Sequence, residues 1–386
     1  MQLSKILSVM LIGMACTCST VFAQQGDGLK PANQKQAHHR QLSVAAWPGA
    51  YGAAQETTVL APAAQALDVT LKRVEAERNK MVDADVLEVT QAELLKGCAN
   101  GQLSKFDAAK LQSGTNQEPA REDFLTGAIS ECGVGSFAWS ALVLVDRSKF
   151  KSRVPEKLAD VFDTKRFKGK RAFIKKAENL FEFAAIATGS TPQLVYADLQ
   201  DPLRLRSIMQ LLEAMLPNII WVETQSDALE KLGAGEAPFA MAYSGRAFRR
   251  IVAGNIVALW DVHVYDFTSW AISAKSQEPD LATAFITLAT SPDYLVAHAR
   301  LWPYGPMRKS AADMVGKHAT LDIAIAPYIP TSSAHLEQGI LHDAAFWAKH
   351  GATLNARLTA LLEGFPLGER VPAPTRRPSE PPTVAP

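Results

Sequence analysis

The stretch Pro238–Ile272, PFAMAYSGRAFRRIVAGNIVALWDVHVYDFTSWAI, narrows the fold more than any other part of the chain. Phe239–Ala242 is a short apolar run that suits a buried strand. Tyr243, Ser244, Gly245 and Arg246 make a polar turn, Ala247–Ala253 reads as a helix, and Gly254 with Asn255 stops that helix. Ile256–Trp260 reads as a second strand. Strand, helix and strand in succession point to an α/β architecture. Asp261–Trp270 then sets Asp, His, Tyr, Asp, Thr and Trp among valines. Such a strand end is poor core material and good lining for a pocket that holds a small polar molecule.

The N-terminus carries the pattern of an export signal. Lys5 supplies a positive start, Ile6–Ala15 is apolar, and Val21-Phe22-Ala23 predicts cleavage after Ala23 and a periplasmic protein. The apolar run is shorter than the roughly 20 residues a membrane span needs, so direct membrane insertion is not expected. Cys16 or Cys18 would suit a lipoprotein, but Gly13 and Ala15 stand where a large aliphatic residue is usual. Cleavage leaves Cys98 and Cys132, which an oxidising compartment favours as a pair over two buried free thiols. The formal net charge is +1, and no basic stripe with interleaved aromatics exists to recruit nucleic acid. Catalytic motifs are missing as well: there is no GxSxG elbow, P-loop, GxGxxG after a strand or HExxH. Neither enzyme activity, a cofactor nor a resident metal is therefore expected.

A series of segments resembles one family. MAYSGRAF, LWDVHVYDFTSWAI, ATAFITLATSPD and YGPMRKSA, in this order and spacing, are similar to the polyamine-type extracellular solute-binding proteins of bacterial ABC importers. SVAAWPGAYGAAQ, LLKGCANGQL, ECGVGSFAWSALVLVDRSKF and DVFDTKRFKGKRAF extend the likeness upstream, and it spans Leu42 to Gly364. The resemblance implies a two-lobed periplasmic binding protein fold of type II, with the ligand cleft between the lobes. It also implies the Cys98–Cys132 disulfide. On this plan residues 1–23 are the signal and 24–41 a polar lead-in. The first lobe comprises 42–139 and 265–309, and the second comprises 140–264. C-terminal helices occupy 310–366 and pack on the second lobe, and 367–386 is a Pro-rich tail. The expected partners are a small-molecule ligand and the membrane permease of an ABC transporter, and the protein is expected to be a monomer. A sensor or adhesion role on the same scaffold is the alternative that the tail and a short first lobe suggest.

Candidate ligand contacts gather at strand ends. Trp47 and Tyr51 stand where the first strand turns into a helix. Thr90 follows the strand Val86–Val89. Tyr243, Ser244, Arg246, Tyr265, Asp266, Thr268 and Tyr304 complete the set, with Glu182 as the acid of the corner near Lys175, Lys176 and Asn179. Trp and Tyr faces attract ammonium groups, by about 1–2 kcal/mol each when desolvated. By resemblance, Lys175, Asn179 and Thr268 occupy places where polyamine binders put acids. Each buried positive charge needs a partner, so the expected ligand is a monocation or a zwitterion whose anionic end meets Lys175 or Arg246. A ferric site from Tyr243, Tyr265, Tyr304 and His263 is the competing arrangement, and it lacks the adjacent tyrosines of such proteins. The connection Glu75–Asp85 is shorter than the helical one usual in the family.

Overall fold

The computed structural model describes residues 40–365. The export signal with its cleavage point, the lead-in as far as His39 and the Pro-rich tail lie outside the described residues. One ten-stranded sheet runs through the rest, in the order β2-β1-β3-β8-β4-β7-β5-β6, with β10 beside β8 and β9 beside β4. The strands are β1 (Gln41–Ala46), β2 (Thr70–Glu75), β3 (Val86–Thr90), β4 (Gly133–Asp146) and β5 (Arg171–Ile174). They continue with β6 (Ile219–Val222), β7 (Phe239–Tyr243), β8 (Ile256–Ile272), β9 (Gly305–Pro306) and β10 (Gly339–Leu341).

The second strand expected at Ile256–Trp260 and the pocket-lining segment after it are one element. β8 is 17 residues long, roughly 55 Å at strand rise. Its valines, threonine and aromatics favour extended backbone throughout, so nothing in the sequence breaks it at Asp261. β4 pairs with it along nearly its whole length, from Ile256 to Ala271, and β3 pairs with its C-terminal end, both antiparallel. It and the 14-residue β4 are thus the two strands that run through both lobes.

Two cores form along these strands. One gathers Leu42, Val44, Val59, Val134, Trp270 and Phe285. The other gathers Val143, Phe173, Phe181, Met241, Phe346 and Leu358. The change of core falls between Ala138 and Ala141 on β4 and between Val264 and Tyr265 on β8. The ladder is irregular at that boundary. Ala141 pairs with Val264 and Val143 with Leu259, so Trp260–His263 face Leu142 alone. Such bulges bend the strand and re-aim its side chains. On the opposite edge of β8, beyond the end of β3, β10 pairs Leu341 with Tyr265.

Local sequence explains the helix starts that matter here. Thr90 and Glu93 form a reciprocal capping box that opens the helix Gln91–Ala99. Asp343 accepts from the Phe346 amide at 2.8 Å and opens Ala344–Leu362, which packs Phe346, Leu354 and Leu358 into the second core. The helix starting at Gly49 runs through a wide turn, Glu56–Leu60, to Leu67. Cys98 and Cys132 are disulfide-bonded with their Cα atoms 5.8 Å apart. In the first lobe a fully buried pair, Asp123 and Arg308 at 2.5 Å, ties the segment before β4 to the one after β9.

Candidate functional site

Register puts the key side chains on one face of the sheet. Trp139 pairs with Asp266, Ala141 with Tyr243 and Thr90 with Thr268, and directly opposed residues share a face. The helices Gly49–Gln55 and Ser244–Val252 start at the ends of β1 and β7. Their first turns face each other across a crevice of about 540 Å³ lined by Tyr51, Gly245, Arg246, Trp302 and Tyr304. An aromatic arc runs on from it, through Trp139 to Tyr243. Ring centroids lie 5.3 Å apart for Tyr51 and Tyr304, 6.1 Å for Tyr304 and Trp139, and 6.3 Å for Trp139 and Tyr243. Gly245 permits a close approach to Tyr304: a Cβ there would lie 2.2 Å from the Tyr304 ring.

Behind the arc sits a buried carboxylate. Glu88 is 2% exposed. It accepts from Tyr51 Oη at 2.6 Å, Thr268 Oγ1 at 2.8 Å, Gln55 Nε2 at 3.0 Å and the Trp47 amide at 3.3 Å. Burial raises its pKa and these donors pull it back. Glu88 therefore fixes the β1-to-helix turn and the orientation of Tyr51, and it occupies the hydroxyls of Tyr51 and Thr268.

A charged end lies where the two lobes meet. His342 Nε2 lies 2.8 Å from Glu178 Oε1, and its Nδ1 lies 3.7 Å from Asp266 Oδ2. These are ion-pair contacts, since neither ring nitrogen has a partner at hydrogen-bonding angles. Burial works against the imidazolium, but Glu178 and Asp266 outweigh it and hold His342 up at about 9. Burial pushes Asp266 to about 6, with His342 opposing. The His342 contact lowers Glu178. Burial and neighbouring acids push the Tyr243 phenol to about 12, so it stays neutral and can donate. At neutral pH the three groups in contact are two carboxylates and one imidazolium.

The expected contact residues separate on this geometry. Tyr51, Tyr243, Arg246, Asp266 and Tyr304 meet around the crevice and the charged end. Trp47 stands half-buried at the edge, its carbonyl accepting from Arg73 at 2.9 Å. Thr90 is used as a helix cap and Thr268 as a donor to Glu88. Ser244 is 3% exposed and accepts from the Ser140 amide. Tyr265 is packed into the first core. Glu182 is neither a cleft acid nor a solvated helix residue. It is fully buried, accepts from Trp347 Nε1 at 2.7 Å and Tyr196 Oη at 3.2 Å, and is pushed to about 7 by burial. The acid of that corner is Glu178, while Lys175 and Lys176 are exposed. The four ferric candidates do not share a site: His263 is buried with its ring nitrogens on Ser140 Oγ and the His335 carbonyl. Among the described residues no group of three or more His, Cys, Asp or Glu is arranged to hold a metal.

Comparison with known proteins fixes the family. The family described as bacterial extracellular solute-binding protein matches residues 37–325. The chain belongs to that family. A relative, the gamma-aminobutyric acid-binding protein of Pseudomonas aeruginosa, is 31% identical over 344 residues, covering 86% of this chain and 94% of that one. The binding protein MotA of A. tumefaciens B6, solved in complex with glucopine, superposes with a TM-score of 0.66 at 21% identity, over 83% of this chain and 99% of its own. The spermidine/putrescine ABC transporter substrate-binding protein of Streptococcus pneumoniae, solved with calcium and HEPES, gives 0.66 at 13%, over 83% and 99%. The resemblance in the sequence thus holds for the solute-binding family and its two-lobed fold. The polyamine subtype within it is not what these likenesses single out.

Several residues of this solute-binding protein's cleft escape a motif search. Glu88 had a usable signal: a lone acid inside VLEVT sits where alternation buries it. Trp139 was visible as an aromatic in an apolar strand. Glu178 and His342 carry no local signature, because only the return of the chain along β10 brings them together.

Proposed function

We propose that this protein is the solute-receiving component of an ABC importer, exported to the periplasm, and that it captures a small organic zwitterion with an ammonium and a carboxylate. The observation that carries this is the charge of the end where Glu178, His342 and Asp266 meet. His342 neutralises one of the two carboxylates, Glu178 and Asp266. The other carboxylate of that contact is left for one ammonium, beside the faces of Trp139 and Tyr243. Arg246 lines the crevice beyond Tyr304 and suits the anionic end. A polyamine would bring two or more ammonium groups, and a buried charge without a partner is destabilising by several kcal/mol. The gamma-aminobutyrate named for the Pseudomonas relative has the charge pattern this inventory favours.

Titration calorimetry at physiological salt tests the reading with gamma-aminobutyrate, putrescine and spermidine. The amino acid is expected to bind in the micromolar range or tighter, with no measurable polyamine binding. Submicromolar binding of spermidine or putrescine, with no response to the amino acid, would overturn it.

A further inference from the structure

We propose that Glu182 is a positioning residue of the solute site: through Tyr196 and Trp347 it locks the corner that carries His342, and so keeps the cleft to a single ammonium. The inference rests on the zwitterion reading above and names what holds its charge balance in place. Glu182 lies in the first turn of the helix Leu180–Ala187 and is fully buried. Its Oε1 accepts from Trp347 Nε1 at 2.7 Å and from Tyr196 Oη at 3.2 Å. Tyr196 Oη in turn accepts from the Asp343 amide at 3.1 Å. Asp343 follows His342 directly and caps the helix Ala344–Leu362, whose first turn carries Trp347. A buried carboxyl is destabilising unless it is bonded, and both bonds of this one go to the His342 corner.

The peptide planes on either side of a residue fix the direction in which its side chain leaves the chain. The plane before His342 is held by its own amide, which donates to the Tyr265 carbonyl at 2.8 Å beside Asp266. The plane after it is held by Tyr196, and Glu182 holds the Tyr196 hydroxyl. The same helix steadies the other side of the contact, since Asn355 Oδ1 accepts from the Ala177 amide at 3.0 Å, next to Glu178. The acids facing His342 are Glu178, Asp266 on β8 and Glu182. The ring itself has no hydrogen bond of its own, so the backbone decides where it points. Freed from Tyr196, the corner would let the imidazolium leave its place 2.8 Å from Glu178 Oε1 and 3.7 Å from Asp266 Oδ2. Those two carboxylates would lose that counter-charge, and a solute with two ammonium groups would suit them better than a solute with one.

Two measurements on the whole protein test this. The titration of His342 is followed by NMR without ligand, with His342→Gln identifying its signal, and is expected at about 9 in the wild type. Tyr196→Phe keeps the Glu182 charge and deletes the bond to the Asp343 amide. Glu182→Leu deletes both acceptor bonds. Glu182→Gln keeps an acceptor oxygen and deletes the charge. Tyr196→Phe and Glu182→Leu should each lower the proton affinity of His342 by about tenfold or more, and Glu182→Gln by less than about threefold. Calorimetry with gamma-aminobutyrate and putrescine reads the consequence. Tyr196→Phe and Glu182→Leu should move the preference towards putrescine by about tenfold or more, and Glu182→Gln should keep the wild-type preference. A Tyr196→Phe protein with the wild-type titration and preference overturns the positioning role and leaves the zwitterion reading standing. Loss of both affinities with an unmoved His342 titration is plain destabilisation and overturns it too. A fall in Glu182→Gln as large as that in Glu182→Leu assigns the effect to charge and likewise overturns it. A wild type that binds putrescine and not the amino acid overturns the zwitterion reading, and the ligand-free titration then decides alone whether Glu182 places His342.

Discussion

Gly245→Ala is a minimal perturbation of lobe closure. The added Cβ would lie 2.2 Å from the Tyr304 ring, where ordinary contact begins at 3.4 Å. The ring or the helix must give by about 1.2 Å, at the scale where overpacking becomes destabilising. Tyr304 has little freedom, because Tyr51, Trp139 and Trp302 surround it with centroids 5.3, 6.1 and 6.1 Å away. Overpacking of this kind is unfavourable by about 1–3 kcal/mol, and here it falls on the closed form alone. Ligand affinity should drop roughly 5- to 150-fold. The unliganded protein should unfold at the wild-type midpoint, since separated lobes relieve the contact and Ala suits a first helical turn. Calorimetry gives the affinity, and small-angle scattering with saturating ligand gives the closure. Wild-type affinity in Gly245→Ala would refute the reasoning, because Tyr304 would then not face Gly245 in the liganded state.

Two further outcomes follow from the frame. Replacing Cys98 and Cys132 with Ser opens a loop of sequence separation 34 and should lower unfolding stability by about 3–4 kcal/mol on the chain-entropy estimate, read by urea titration. His342 is held above its ordinary 6.5, at about 9, so its contribution is fully present below pH 6.5 and is lost as pH rises through 9. Wild-type stability should therefore fall by on the order of 1–3 kcal/mol across that window, and His342→Gln should lack that slope in the same titration. An unchanged slope in the variant would remove His342 from the charged end.

Much of the cleft was legible because strand ends and helix starts announce themselves. Tyr51, Arg246 and Tyr304 each sit beside a turn whose Pro or Gly is visible in the chain, and the structure brings them to one crevice, with Tyr243 next along the arc. Local pattern fails where a polar side chain has two available uses. Thr90 and Thr268 read as contacts, yet one caps a helix and the other satisfies a buried carboxylate. Glu182 and Glu178 stand four positions apart around one corner, and only packing against Trp347 and Tyr196 decides which of them is interior. The continuity of β8 was hidden for another reason. Its polar residues suggested an end, whereas the sheet changes lobes there.

The return of the chain to the hinge along β10 separates scaffold from selectivity. Residues 37–325 carry the family's match, and His342 lies past its end. The cation at the Glu178–Asp266 contact therefore comes from the strand-to-helix segment near the end of the described chain, not from either hinge strand. A substitution in that segment can change the charge of the contact while β4, β8 and the aromatic arc stay as they are.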